Sequence, residues 1–172
     1  VVGNIGGHFY LFAGKGKGVF SAKSTPLQNA KGKALKVDHH SDPFLVDWDG
    51  DGDLDLLSGS HSGGAFLFPN EGTAMKAAFG TRQTLLAAAS APSIQQTQAF
   101  GEAHIKGPQG ATRVWAADMN GDGRLDLVLG DSFTINTPAD GLDEKTARAR
   151  YAVAEKAMAA DQKRMRDAFD KG

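Results

Sequence analysis

A chain of 172 residues with 41% hydrophobic and 23% charged residues has the size and composition of one folded domain rather than a disordered polypeptide, and no apolar run approaches the length that spans a bilayer. Its formal charge of -1 supplies no global field for nucleic acid or an anionic membrane, and the absence of cysteine removes disulfides, thiolate metal sites and thiol nucleophiles together.

The opening GNIGGHFYLFAGKG, from Gly3 to Gly16, aligns without a gap on GSHSGGAFLFPNEG, from Gly59 to Gly72. Each copy predicts a glycine turn followed by a strand, over Phe9 to Phe12 and Ala65 to Phe68. In the second copy an acidic loop precedes the unit. The loop of the first copy is therefore expected upstream of Val1, on a longer parent protein. The lysines between Lys15 and Lys36 are scattered among glycine and alanine, which reads as a solvated face rather than an anion site. Ser21 to His40 and Leu85 to Gly110 carry further strands and connections that the pattern does not place. His39 and His40, beside Asp42, read as loop histidines because no third metal ligand has a claim in the sequence, and His8, His61 and His104 are weaker candidates still.

Phe44 to Val46 predicts a short strand leading into an acidic loop, and Leu54 to Leu57 a strand leading out of it. Thr112 to Ala117 and Leu125 to Leu129 repeat the arrangement. The segments VDWDGDGDLDLLSGS and ADMNGDGRLDLVLGD match, setting Asp47 on Asp118, with DxxGDGxLDL as their common core. Trp115 is expected to pack in the sheet, whereas Trp48 lies within a loop.

In DWDGDGDLD, five carboxylates, Asp47, Asp49, Asp51, Asp53 and Asp55, alternate with no cation among them. Alternate acidic residues on a tightly wound loop converge on one point, and so many hard oxygens suit calcium, which takes about six to eight. Gly50 and Gly52 supply the backbone angles that such winding needs. The second loop keeps Asp118, Asn120, Asp122 and Asp126, but its seventh position is Arg124. A position that is Asp in one loop and Arg in the other contributes its backbone carbonyl, with the side chain outward. An EF-hand also begins DxDxDG, yet it needs a bidentate Glu at its twelfth position, where these loops have Ser58 and Leu129, and it needs flanking helices.

DWDGDGDLDLLSGS and DMNGDGRLDLVLGD resemble the calcium loops of FG-GAP or VCBS repeats, found in integrin alpha-subunit propellers and many bacterial secreted proteins. The resemblance implies an all-β fold of two to three FG-GAP-type β-propeller blades over residues 1–137. It implies two calcium ions, one held by Asp47, Asp49, Asp51, the Asp53 carbonyl and Asp55. The other would be held by Asp118, Asn120, Asp122, the Arg124 carbonyl and Asp126. Such rings usually have seven blades, so the implied partner is the remainder of the propeller, on the same parent chain or further copies. An extracellular, cell-surface or periplasmic location follows from calcium-filled loops.

After Thr137 the texture changes to an Ala-, Arg- and Lys-rich run that predicts a C-terminal α-helix from Asp143 to Asp170 within a helical extension or insertion, residues 138–172. Asp140 or Asp143 caps it, Glu144 and Arg148 pair along it, and Gly172 ends it. Tyr151, Ala154, Met158, Met165 and Ala168 form a stripe suited to a surface or partner.

Function is expected to be non-catalytic, in binding or as a scaffold, with a protein or glycan as ligand and no nucleic acid. The alternatives are an accessory or catalytic propeller of a polysaccharide-active enzyme, or a lectin-like propeller. The enzyme reading ranks below binding because the sequence has no nucleophile motif, no acid–base pair apart from the loops and no phosphate loop.

Overall fold

The structure is a computed structural model and describes residues 1–89, 107–133 and 137–170. It divides into two compact units, one comprising residues 1–91 and 106–133 and the other residues 92–105 and 134–172.

The first unit is built on an antiparallel four-stranded sheet in simple sequential order, β6 (Asp42–Val46), β7 (Asp55–Gly59), β8 (Ala65–Phe68) and β9 (Gln83–Leu86). Register sets Phe44 against Leu57, and Leu57 in turn against Leu67. Before it in the chain come β1 (Val2–Gly3), β2 (Phe9–Leu11) and β5 (Thr25–Pro26), which form a three-stranded sheet, and the hairpin of β3 (Gly14–Gly16) and β4 (Val19–Phe20). After it comes the hairpin of β10 (Arg113–Ala117) and β11 (Asp126–Gly130). The strands expected around the acidic loops are thus present; β5 falls in a stretch that the sequence pattern did not resolve, and β9 overlaps the start of another. Part of the Leu85 to Gly110 stretch lies outside the described residues.

Strand alternation explains why the middle sheet reads as continuous apolar runs. Leu45, Leu56, Phe66 and Phe68 face one core, shared with Phe9, Leu35, Val37 and Phe79. Phe44, Leu57, Ala65 and Leu67 face a second core, shared with Val114, Ala116, Leu127 and Leu129. Both faces are covered. The sheets therefore stack in chain order, and each β-hairpin unit packs on the next.

The junctions between successive units repeat in atomic detail. Asn4 O accepts from Ser41 N at 3.1 Å, and Ile5 O from His40 N at 3.0 Å. At the next junction, Ser60 O accepts from Thr112 N at 3.0 Å, and His61 O from Ala111 N at 2.9 Å. His40 and Ala111 occupy the same junction position, and both have positive φ, 43° and 49°. Contact is so close that only glycine fits beside it, since a Cβ at Gly3 would stand 2.0 Å from Ser41 O.

Trp115 departs from the expected packing. Its neighbours Val114 and Ala116 take the core side of β10, so alternation turns the indole outward, 52% exposed and edge-on to Phe44. Trp48 instead packs against the second core from its place in the loop.

The second unit holds the helix α1 (Glu144–Phe169), whose N-cap is Asp143. The Asp143 carboxylate accepts from Thr146 N at 2.9 Å and from the Thr146 hydroxyl at 2.6 Å. Arg148 donates to Glu144 at 2.6 Å, which is the pair expected four residues apart. Asp170 closes the helix, and Gly172 lies outside the described residues. No described side chain of α1 is buried, and Met158 and Met165 on its apolar stripe are exposed. No described helix is long and apolar enough to cross a membrane.

Candidate metal centre

Two loops of the same design join β6 to β7 and β10 to β11. Each is wound by its first residue. The Asp47 carboxylate accepts from Gly50 N at 2.8 Å and from Gly52 N at 3.0 Å. Asp118 accepts from Gly121 N at 2.7 Å and Gly123 N at 2.9 Å. The ninth residue closes the loop from the other side, with Asp55 accepting from Trp48 N and Asp126 from Met119 N, both at 2.9 Å. Gly50, Gly52, Gly121 and Gly123 have φ between 75° and 93°. Open space surrounds all four, so backbone conformation and not crowding calls for glycine there.

In the first loop, one carboxylate oxygen from each of Asp47, Asp49 and Asp55 lies within 4.8 Å of the others. This is the spacing at which three oxygens can share one cation. Asp51 and Asp53 are outside that trio. Asp51 accepts from Asp53 N at 3.0 Å, a bond that holds the turn. Asp53 corrects the expectation of an outward seventh side chain, because it is only 6% exposed and its Oδ1 has no hydrogen-bond partner. A buried carboxylate oxygen without a donor is costly unless positive charge is supplied. Desolvation first, then Asp51 and Asp55, push its carboxyl above the usual range. The donor set of Asp47, Asp49 and Asp55 is all oxygen and rich in negative charge, which fits a hard divalent cation.

The second loop differs at the seventh residue in the expected sense. Arg124 is outward, and its guanidinium reaches back to Asp122 Oδ2 at 2.7 Å. That contact, ahead of the Arg124 backbone N–H, holds the Asp122 carboxyl below its ordinary range. Hydrogen bonds from Gly123 first and then Gly121 and Asp122 do the same for Asp118. With Asn120 at the third position and Asp122 engaged by Arg124, no matching trio of acidic oxygens forms here among the described residues.

One supporting residue escaped the sequence reading. Asn70 donates its backbone N–H to Asp55 Oδ1 at 2.6 Å, while its own side-chain oxygen accepts from Gly72 and Ala78. It fixes the ninth-position carboxylate from the strand β8 side. The available signal was its place two residues after the AFLF strand in the repeated Gly-turn unit.

Residues 47–129 match the FG-GAP-like repeat family. This segment is an FG-GAP repeat domain. The match begins at Asp47, the first residue of one acidic loop, and ends at Leu129 in β11, so it takes in both FG-GAP loops. No curated protein and no solved structure gives a significant match.

Proposed function

We propose that the chain is a calcium-stabilised segment of a β-propeller from an exported protein, with a binding or scaffold role and no catalysis. The observation that carries this reading is the Asp47, Asp49 and Asp55 trio, whose carboxylate oxygens converge in the loop between β6 and β7. Calcium bound there would neutralise the carboxylates and tie β6 to β7, so that ion binding adds to folding free energy. The second ion would be held by Asp118, Asn120, Asp122, the Arg124 carbonyl and Asp126. It would bind more weakly, since Arg124 competes for Asp122. Loops of this kind are filled where calcium is abundant, which favours the periplasm, the cell surface or the medium.

In this reading, further sheet from the same parent or from copies would complete the propeller beside the β10–β11 hairpin. A protein or glycan is the ligand class that such a scaffold would present.

Calorimetric titration of the chelator-stripped chain tests the proposal. Two calcium sites of unequal affinity are expected, and Asp47→Ala should abolish the tighter one. A stoichiometry of zero, or a preference of the loops for zinc over calcium, would overturn it.

A further inference from the structure

A cleft of about 620 Å³ opens between the segment that follows β5 and the segment that leads into β9. That volume is in the range of small-molecule sites, about 300–1,000 Å³. Lys31, Lys33 and Lys36 line it from the first segment and Arg82 from the second, and Asp38 is the one carboxylate among its described lining residues. In a chain of formal charge -1, this is a local excess of positive charge gathered from two places in the sequence.

The walls are held by hydrogen bonds. The Asn29 side-chain oxygen accepts from Lys31 N at 3.0 Å and from Lys33 N at 2.9 Å, and Lys33 O accepts from Asn29 N at 2.8 Å. This turn fixes the backbone that carries the lysines. Ala30 N donates to Phe79 O at 3.2 Å, which ties the turn to the opposite wall, and Gly80 N donates to Pro69 O at 2.7 Å. Arg82 lies over the Phe66 ring, 4.7 Å from its centroid, a position that holds the guanidinium in place.

The charges are open to a ligand. No described residue forms an ion pair with Lys31, Lys33 or Lys36. Arg82 Nη1 stands 3.5 Å from Asp38 Oδ1, beyond the roughly 2.7–2.9 Å of a charge-assisted hydrogen bond. The repeat also shows that the fold has no need of cations here. β9 takes the place of β5 in the next unit, since Leu67 faces Gln83 as Leu11 faces Thr25. On that register Lys31 corresponds to Ala89, and the run Ala87, Ala88 and Ala89 is uncharged.

We propose that this cleft binds an acidic oligosaccharide, with uronate carboxylates or sulfates set against Lys31, Lys33, Lys36 and Arg82. Lysine ammonium groups act as point charges that accept either acid, and the Arg82 fork meets two oxygens of one acid group. Asp38 would repel a ligand that offered anions alone. Sugar hydroxyls between the acid groups can donate to it, and Thr81 adds a further hydroxyl to the lining. An acidic peptide carries its carboxylates without hydroxyls between them, which favours the sugar. The site gives a ligand class to the binding role proposed above and rests on that role, but it shares no lining residue with either acidic loop.

The test is calorimetry of the full chain in saturating calcium with four probes: a uronate trisaccharide, a sulfated heparin-type tetrasaccharide, uncharged maltotriose and a hexaglutamate peptide. At least one acidic sugar should bind, one per chain, and more weakly as salt is raised. Maltotriose should not bind. Lys33→Gln combined with Lys36→Gln should weaken the acidic sugar by roughly fivefold or more, as two exposed charge contacts would, and Arg82→Gln should weaken it as well. Lys15→Gln combined with Lys17→Gln makes the same change of charge outside the lining and should leave binding unchanged. All four lysines are exposed, and the calcium-dependent melting shift checks the fold of every variant. No binding of either acidic sugar, equal binding of maltotriose, tighter binding of hexaglutamate, or an equal loss in the Lys15 and Lys17 variant would overturn the site. Calcium stoichiometry of the same chain is read separately, so two calcium sites without sugar binding would strike this cleft alone.

Discussion

Gly59 lies against Thr112 so closely that a Cβ on the glycine would stand 1.8 Å from the Thr112 carbonyl oxygen. The obstacle is backbone, which cannot rotate aside, and it is the same contact that Gly3 makes with Ser41. Gly59→Ala must therefore separate the middle sheet from the β10–β11 hairpin. It should lose about 3 kcal/mol or more of stability in urea unfolding, at the upper end for overpacking. Gly50→Ala meets no atom within 4 Å, so only its φ of 80° opposes the change. A loss of about 1–2 kcal/mol is expected there. Equal losses at the two positions would remove the distinction between contact and conformation.

This junction marks what the sequence revealed and what it withheld. The acidic loops and their exit strands were legible because ligand geometry and glycine dihedrals act over a few consecutive residues, as in DWDGDGDLD. The helix was legible from its composition and from Asp143. Strand β5 is only two residues long, and β9 is largely exposed, so neither leaves a hydrophobic pattern. Asp53 was misjudged because its surroundings include Asn70, which hydrogen-bonds to it from beyond β8 and is distant in sequence. The gathering of Arg82 with Lys31, Lys33 and Lys36 in one cleft depends on the contact of Ala30 with Phe79, and no local spacing announces it.

Asp53 gives the metal-free chain a dependence on pH. Its carboxyl is raised in the folded state, so the native protein holds the proton more tightly than the unfolded chain. Its contribution is most favourable below the ordinary value of 3.8 and declines as pH rises from there through the raised folded value. Asp53→Asn removes that decline. In chelator at neutral pH the variant should melt higher than the parent, while the calcium-induced shift shrinks because one negative charge has left the site. A variant that melts no higher in chelator would show that Asp53 is not strained in the metal-free state.

Arg124 is expected to weaken the second loop by occupying Asp122 and by placing a cation near the ion. Replacing it with glutamine keeps the backbone carbonyl and removes both effects. Calcium affinity at that loop should rise by about threefold to tenfold for one unit charge at several ångströms in a solvent-screened site. The first-loop affinity should not change. Calorimetry of Arg124→Gln in an Asp47→Ala background isolates the second site, and unchanged or weaker binding there would contradict the role given to Arg124.

Helix α1 has no buried residue among those described, and local terms support its helicity: the Asp143 cap and side-chain pairs such as Glu144 with Arg148. The cap is sensitive to pH. The Thr146 hydroxyl, and then the Thr146 backbone N–H, hold the Asp143 carboxyl below its ordinary 3.8. A depressed carboxylate stabilises the folded form above its unfolded value and loses that contribution as pH falls through the depressed folded value. Far-ultraviolet circular dichroism of the calcium-loaded chain should therefore keep its helical signal down to about the ordinary carboxylate range and lose part of it below. Asp143→Asn keeps a good cap that does not titrate, so its signal should hold at neutral pH and change less on acidification. Asp143→Ala has no cap and should start with less helix at neutral pH. Neither variant alters the acidic loops, and both should retain the calcium stoichiometry of the parent chain. A helical signal that falls equally in parent and Asp143→Asn would assign the acid transition to Glu144 or another carboxylate and not to the cap.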